Sequence, residues 1–527
     1  MGDFTADPRI LVLTAMAALI GVISACVALA LVRLIGLFTH LFYYHDIGGT
    51  LVSPAANRLG LWAAVVPIVG GLIVGLMARY GSEKIRGHGI PEALEAILIG
   101  RSRMDAKVAV LKPLSSAIAI GTGGPFGAEG PIIMTGGAFG SLFAQAFHLS
   151  PAERKTLLVA GAAGGMAAVF ATPIAAALLA VELLLFEWKP RSFIPVACAA
   201  AVAAALRVPL LGAGPLFPVA PHPGMDWTLL LIAAGLGITA GFGSGLLTWL
   251  VYACEDAFRK LPPAFHWMWW PLLGGAVVGL GGLVEPRALG VGYDTIHDLL
   301  SGRLVGAMLL GLVVTKAVIW AVALGSGTSG GVLAPLLIMG GALGALEAHW
   351  IGAGDPGLWA AISMGAMMGG TMRAPFTAVA FVLELTHDVN VLPGLFIAAV
   401  AADAVTVLLM KRSILTEKVA RRGYHLTREY TVNPLHLLRV QDVMEPPLPV
   451  PPSADHAPAV AYPDELLEHV LTKMLEHEVE RLPVVSEDEP DRVVGYVDRA
   501  GIMGAWVHFT KTDGVQEEGW LRRLVRR

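Results

Sequence analysis

The strongest constraint on this chain is a series of apolar runs without a single charge: Ile10 to Val32, Leu59 to Ala78, Thr156 to Val181, Trp227 to Cys254 and Ala317 to Leu346. A bilayer core takes about 20 helical residues to cross, and these runs reach that length repeatedly. Composition points the same way. Only 15% of the 527 residues are charged and 55% are hydrophobic, whereas a soluble domain carries about a quarter charged residues. Mean hydropathy is +0.67. Such a chain has too little polar surface to cover itself in water, so it reads as an all-α polytopic membrane protein with the lipid bilayer as its solvent. The formal net charge is -4 and the basic residues are scattered, which excludes a nucleic-acid-binding surface. Cys26, Cys198 and Cys254 are far apart in apolar stretches. They form neither a metal spacing nor a disulfide framework and are expected to be small buried residues. No small-residue cleavage site closes the first apolar run, so it is expected to be a retained helix.

Glycine and proline interrupt the long runs where charges would otherwise do so, and other runs are short, such as Pro356 to Met372 and Val391 to Ala402. Irregular backbone at membrane depth survives only where protein or a water-filled cavity covers it. The pattern therefore predicts about ten to eighteen helices, many of them broken or not full spans. Past about Arg422, Asp, Glu, Arg and His become frequent and prolines cluster at Pro446, Pro447, Pro449, Pro451 and Pro452. The expected organisation is a membrane domain over 1–425, a linker over 426–439, a small α/β module over 440–510 and a basic tail over 511–527. Within the module, Asp464 to Leu475 has helical apolar spacing, while Arg481 to Val485 and Val493 to Val497 read as short buried strands. The stretch Trp520 to Arg527 is basic and amphipathic and would either touch anionic lipid or lie solvated.

The membrane domain repeats itself. Pro131 to Leu142 matches Pro335 to Leu346 in its proline, its Gly-Gly-Ala triplet, the next glycine and the final leucine. Pro173, Ala176, Glu182 and Leu183 match Pro375, Ala378, Glu384 and Leu385 in the same order. Low complexity can fake one such match, but two in order, both about 200 residues apart, imply two homologous halves. Transporters built this way hold their substrate between the halves on broken helices.

Three segments share one form, a Gly-rich loop running into an apolar helix near a proline: Gly87 to Glu92, Gly127 to Pro131 and Gly325 to Pro335. Proline suits the first helical turn, and glycine lets a ligand approach the backbone. A helix N-terminus presents free N–H groups and about half a positive charge. Three such termini meeting in the membrane would form a dry anion site without a fixed cation, from which an anion can still leave. The alternative is that these glycines only permit close helix packing. Glu129 stands out: a carboxylate at a helix N-terminus within an apolar region can itself occupy the anion site, and protonation releases it. Its plainer reading is a helix cap. Glu182 and Glu384 share a repeat position and are expected to hydrogen-bond loop backbone.

Enzyme signatures do not assemble. Gly327 to Gly331 fits the hydrolase elbow spacing but stands inside the repeat, without a preceding strand. His477 to Arg481 ends in arginine where a zinc-binding helix needs histidine. An intramembrane enzyme would need a nucleophile or metal constellation. A membrane-bound sensor, with the soluble module reading a ligand, is a further rival.

The three loops resemble the signatures of the CLC chloride channel and transporter family, over about residues 10 to 425. The resemblance implies inverted halves of broken helices and a homodimer with one anion pore in each subunit. It further implies an integral protein of the plasma (inner) membrane whose C-terminal domain is cytoplasmic. It makes Glu129 the gating glutamate and places anion contacts at His88, Gly89, Ile90, Gly127, Ala128, Gly130, Val332 and Leu333, with chloride as the bound substrate ion and no cofactor. The segment from Val440 through Arg481 to Asp498 is similar to a single CBS module. This chain departs from the family pattern at five places. His88 replaces the usual pore serine, Leu415 stands at the inner tyrosine, Leu183 at the inner glutamate of proton-coupled members, and Ala128 where a basic residue often precedes the gate. Gly501 takes the place of the aspartate that ends the CBS ribose pattern, so the sequence does not predict nucleotide there. Glu187, one helical turn beyond Leu183, is the candidate residue for a proton path. The sequence therefore favours a channel or weakly coupled conductor over a strict chloride/proton antiporter.

Overall fold

The computed structural model describes residues 8–423, 435, 437–446, 459–486, 489 and 492–512. Most of the linker, Pro447, Pro449, Pro451, Pro452 and residues 513–527 of the tail lie outside that set. The chain forms two compact units, Met1–Ala146 with Arg154–Glu417, and Phe147–Glu153 with Lys418–Arg527.

From Arg9 to Ala420 the described residues form seventeen α-helices and no strand. Eight helical segments are long and apolar enough to cross a membrane, the longest being Arg9–Tyr44, Trp227–Arg259 and Val389–Ala420. Two of the apolar runs do not become single helices. Thr156 to Val181 breaks after helix Pro151–Phe170, where Ala171 takes a left-handed φ of 59° and Pro173 starts a new helix. The residue before a proline is pushed out of the helical region, so the break falls there. Ala317 to Leu346 breaks between helices Ala307–Gly325 and Leu333–Ile351, at the third Gly-rich loop. One expectation is corrected: Cys26 is exposed, while Cys198 and Cys254 are half-buried. Helix Arg9–Thr39 turns Leu11, Val12, Leu19 and Val22 outward as well. An apolar residue on a lipid-facing helix has no reason to be interior, so composition does not reveal its side.

Both halves cross their helices by the same device. Helix Glu129–Gln145 meets Pro151–Phe170 where a Cβ on Gly136 would come 2.3 Å from the Gly161 carbonyl, and one on Gly140 2.3 Å from the Leu157 carbonyl. In the second half Leu333–Ile351 meets Pro356–Met372 where a Cβ on Gly340 would come 2.7 Å from the Ser363 carbonyl, and one on Gly344 2.3 Å from the Trp359 carbonyl. In lipid, where apolar side chains gain nothing by leaving the solvent, such close backbone packing holds helices together.

In the second unit β1 (Arg481–Val485) pairs antiparallel with β2 (Val493–Asp498). Helices Leu467–Glu476 and Arg499–Thr512 pack with them around Val440, Leu467, Val470, Met474, Leu482, Val484, Val497 and Ile502. Asp498 caps the last helix through the Gly501 amide at 2.6 Å and bonds Arg481 at 3.1 Å. Those two partners hold its carboxyl below the ordinary value.

Candidate functional site

The three Gly-rich loops meet. Gly331 donates its N–H to the Gly127 carbonyl at 2.9 Å and Gly127 returns the bond at 3.3 Å, so the two halves exchange backbone hydrogen bonds in antiparallel register. Gly87 lies beside Ser329 in a parallel bridge. There is no room for side chains at the crossings. A Cβ on Gly130 would fall 1.8 Å from the His88 carbonyl, and one on Gly89 2.4 Å from the Gly130 carbonyl. Each loop then opens a helix: Ile90–Leu98 with Pro91, Glu129–Gln145 with Pro131, and Leu333–Ile351 with Pro335. Glu92 returns to accept the Gly89 N–H at 2.8 Å, which fixes the first of these termini.

Glu129 is fully buried, and its Oε1 accepts a hydrogen bond from the Leu333 N–H. The carboxylate thus sits on the N-terminus of the other half's helix. A Cβ on Gly331 would be 2.3 Å from that same oxygen, so glycine leaves the space that the carboxylate fills. His88, Ile90, Ala128, Val332 and Leu333 are all buried beside these turns. Geometry therefore gathers Glu129, Gly127, Gly130, His88, Gly89 and Leu333 at one place, with Ile90, Ala128 and Val332 adjoining them in the chain. Leu415, Leu183 and Glu187 stand on other elements. Leu415 is buried in helix Ile414–Ala420, whose Ile414 carbonyl accepts the Tyr252 hydroxyl at 2.5 Å. Leu183 is buried in the turn Ala180–Leu185.

Sequence reasoning passed over two residues that hold this architecture. Lys112 is fully buried and donates to the carbonyls of Ile85 and Gly87, both at 2.8 Å. Lys316, its counterpart in the repeat, is fully buried and donates to Ala288 at 2.8 Å and Gly290 at 3.2 Å. Each ammonium clamps the backbone just before a Gly-x-Gly turn, Gly87-His88-Gly89 or Gly290-Val291-Gly292. Gly89 and Gly292 both take positive φ, 92° and 75°. Lys316 is also an electrostatic neighbour of Glu129. A lysine recurring inside two apolar segments at the repeat offset was the signal for this pair.

Glu182 and Glu384 do what their repeat position predicts. Glu384 accepts from the amides of Ile174 and Ala175 at 2.9 and 2.8 Å, and Glu182 from the Thr377 amide and hydroxyl at 2.8 and 2.5 Å. Each carboxylate caps the proline-started helix of the opposite half. Glu187 is bound otherwise, by the Ser192 hydroxyl at 2.6 Å and by Lys189 at 2.9 Å. Burial would raise its pKa, but Lys155, Ser192 and Lys189 outweigh that and hold it below the ordinary value.

The signature of the voltage gated chloride channel family matches residues 70–407. The chain belongs to this family, CLC. A CBS domain matches residues 440–508. This CLC protein is 30% identical over 422 residues to the voltage-gated ClC-type chloride channel ClcB of Citrobacter koseri, covering 77% of this chain and 98% of the relative. Similarity to ClcB of Salmonella typhimurium is equal in identity and coverage. The putative chloride channel protein ClcB-like of Ralstonia nicotianae is 28% identical, over 66% of this chain and 82% of its own length. Among solved structures, a slow cyanobacterial Cl-/H+ antiporter superposes with a TM-score of 0.69 at 20% identity, over 79% of this chain and 99% of that one. A eukaryotic CLC transporter superposes at 0.66 and 20% identity, over 95% of this chain and 89% of that one. These structures share the fold of this CLC chain's membrane domain of broken helices.

Proposed function

We propose that this protein carries chloride, or a similar small anion, across the membrane through a pathway in each subunit of a homodimer. The observation that carries this reading is the Glu129 carboxylate seated on the Leu333 amide, where the Gly-rich loops of the two halves meet. Amides at a helix terminus hold an anion by partial charges, firmly enough to strip water and weakly enough to release it. In this reading Glu129 is the gate. Ionised, it takes the place of the anion; protonated, it loses its attraction to the amides and leaves. The contacts of the passing ion are the backbone of Gly89, Ile90, Gly127, Ala128, Gly130, Val332 and Leu333, with His88 supplying an imidazole donor on the side where Leu415 brings no hydroxyl.

The mode we propose is a channel or weakly coupled conductor. Proton-coupled members of the family commonly carry a second glutamate on the inner side. Leu183 cannot serve, and Glu187, paired with Lys189 and held ionised, releases its proton too readily to carry it. In this reading the protein resides in the plasma (inner) membrane with its CBS module in the cytoplasm. Reversal potential measured in liposomes under a proton gradient tests the mode. Chloride flux should reverse at the chloride equilibrium potential whatever the proton gradient. A reversal potential that shifts with the proton gradient in a fixed ratio would establish antiport instead.

A further inference from the structure

Arg86 precedes the Gly87–Gly89 turn, and its guanidinium joins the two halves of the site from one side. It lies against the loop of the second half, since a Cβ on Gly327 would come 2.8 Å from its Nη2 and 2.9 Å from its Nε. It stacks on Trp267 at 4.4 Å and reaches Trp270 at 5.7 Å. Two donors in this group, Arg86 Nε and the Trp270 indole Nε1, are buried and have no acceptor among the described residues. Arginine and indole are donor-only groups, so the natural complement to both is an anion. The Arg86 side chain keeps 21% of its surface exposed, and its one acidic hydrogen-bond partner, Glu83 at 3.0 Å, is 66% exposed. Such a surface pair neutralises the cation weakly. Beyond it, Glu255 and Arg259 face Arg86 electrostatically and pair with each other at 2.5 Å, so that they largely cancel.

The side on which this cluster opens follows from the fold. Trp267 and Trp270 follow the C-terminal end of helix Trp227–Arg259, and Tyr252, seven residues before that end, holds the membrane unit's last helix at Ile414. At 1.5 Å per residue this is about 10 Å from the helix end. Arg86 therefore opens on the face where the membrane unit ends.

We propose that Arg86, with the Trp270 indole, forms an anion-docking site at this mouth, where a chloride-sized ion waits before passing the Gly87–Ile90 turn. The inference rests on the permeation reading and adds to it a residue that concentrates substrate. A fixed cation inside the dry site would trap an anion. At a partly solvated mouth the same charge raises the local anion concentration and speeds capture.

The test is chloride flux from liposomes containing the full-length protein, measured against chloride concentration. Arg86→Gln should raise the half-saturating chloride concentration several-fold and leave the maximal rate nearly unchanged. Glu83→Gln, on an exposed side chain, should act with the opposite sign and lower it. Both differences should vanish when an impermeant salt brings the ionic strength to about 1 M, where charge acts over only about 3 Å. Arg86→Lys should retain part of the effect. A fall in maximal rate at unchanged half-saturation in Arg86→Gln, or a Glu83→Gln effect of the same sign, would make Arg86 a strut between the loops and overturn the docking site. Absence of chloride flux from the wild type would overturn the permeation reading, and this inference with it.

Discussion

The two halves of the membrane unit are most instructive where they differ. Both clamp a Gly-x-Gly turn with a buried lysine, Lys112 or Lys316, and both lend a carboxylate, Glu182 or Glu384, to cap the other half's helix. Both cross their helices on paired glycines. The site residues break the symmetry. Glu129 has Leu333 as its repeat counterpart, and its carboxylate binds the amide of that very residue. His88 has Val291 as its counterpart. What the halves share builds the scaffold, and the side chains that only the first half carries, Glu129 and His88, are those of the proposed anion pathway.

That division predicts the sign and size of changes. Removing either buried ammonium, by Lys112→Met or Lys316→Met, leaves two carbonyls without their charged donor and should cost about 3 kcal/mol. Thermal unfolding in detergent should show nearly equal losses for the two. A stable protein with altered flux would instead place that lysine in the pathway. Glu182→Gln and Glu384→Gln each keep one acceptor oxygen and lose the charge, so about 1 kcal/mol is expected from each. Flux per folded protein should persist, and unequal losses would show that the exchange is less symmetric than its geometry. His88→Val copies the second half's turn into the first. Stability should fall by about 1 kcal/mol, while the chloride concentration for half-maximal flux rises. Unchanged affinity would make the imidazole structural.

The smallest effect is expected at Glu187. Its carboxyl lies below the ordinary value, so it stays ionised between about pH 5 and 8. The stability it contributes is present above the ordinary carboxylate pKa and is lost only as pH falls through the lower, folded value. Glu187→Gln should leave chloride flux and its pH profile unchanged over that range, and altered proton movement in this variant would reopen the antiport mode.

Much of this was legible in the residue order. Proline position and the glycines located all three helix starts of the site, and the Pro131/Pro335 register announced the halves. Glu182 and Glu384 were readable because a carboxylate repeated in an apolar segment needs a partner. Other features were hidden for physical reasons. Where the surroundings are lipid, a lipid-facing helix and a buried one have the same composition, so the exposure of Cys26 left no trace. The break at Ala171 left no mark in hydropathy, and only Pro173 signalled it. Lys316 looked like the boundary of an apolar run, because a lone cation in such a run marks an end unless its carbonyl partners are seen. The Gly290 turn lacks the Pro-Glu pair of its counterpart, so only the fold shows that the two turns are alike.

The central claim is that the Glu129 carboxylate and the permeating anion compete for the amides at the start of helix Leu333–Ile351. The direct measurement is chloride flux from liposomes carrying the wild type or Glu129→Gln, as external pH is varied. The neutral side chain cannot mimic the anion, so flux should be at least as fast as in the wild type and most of its activation by external acid should disappear. Wild-type acid activation persisting in Glu129→Gln would contradict the claim and leave Glu129 as a helix cap.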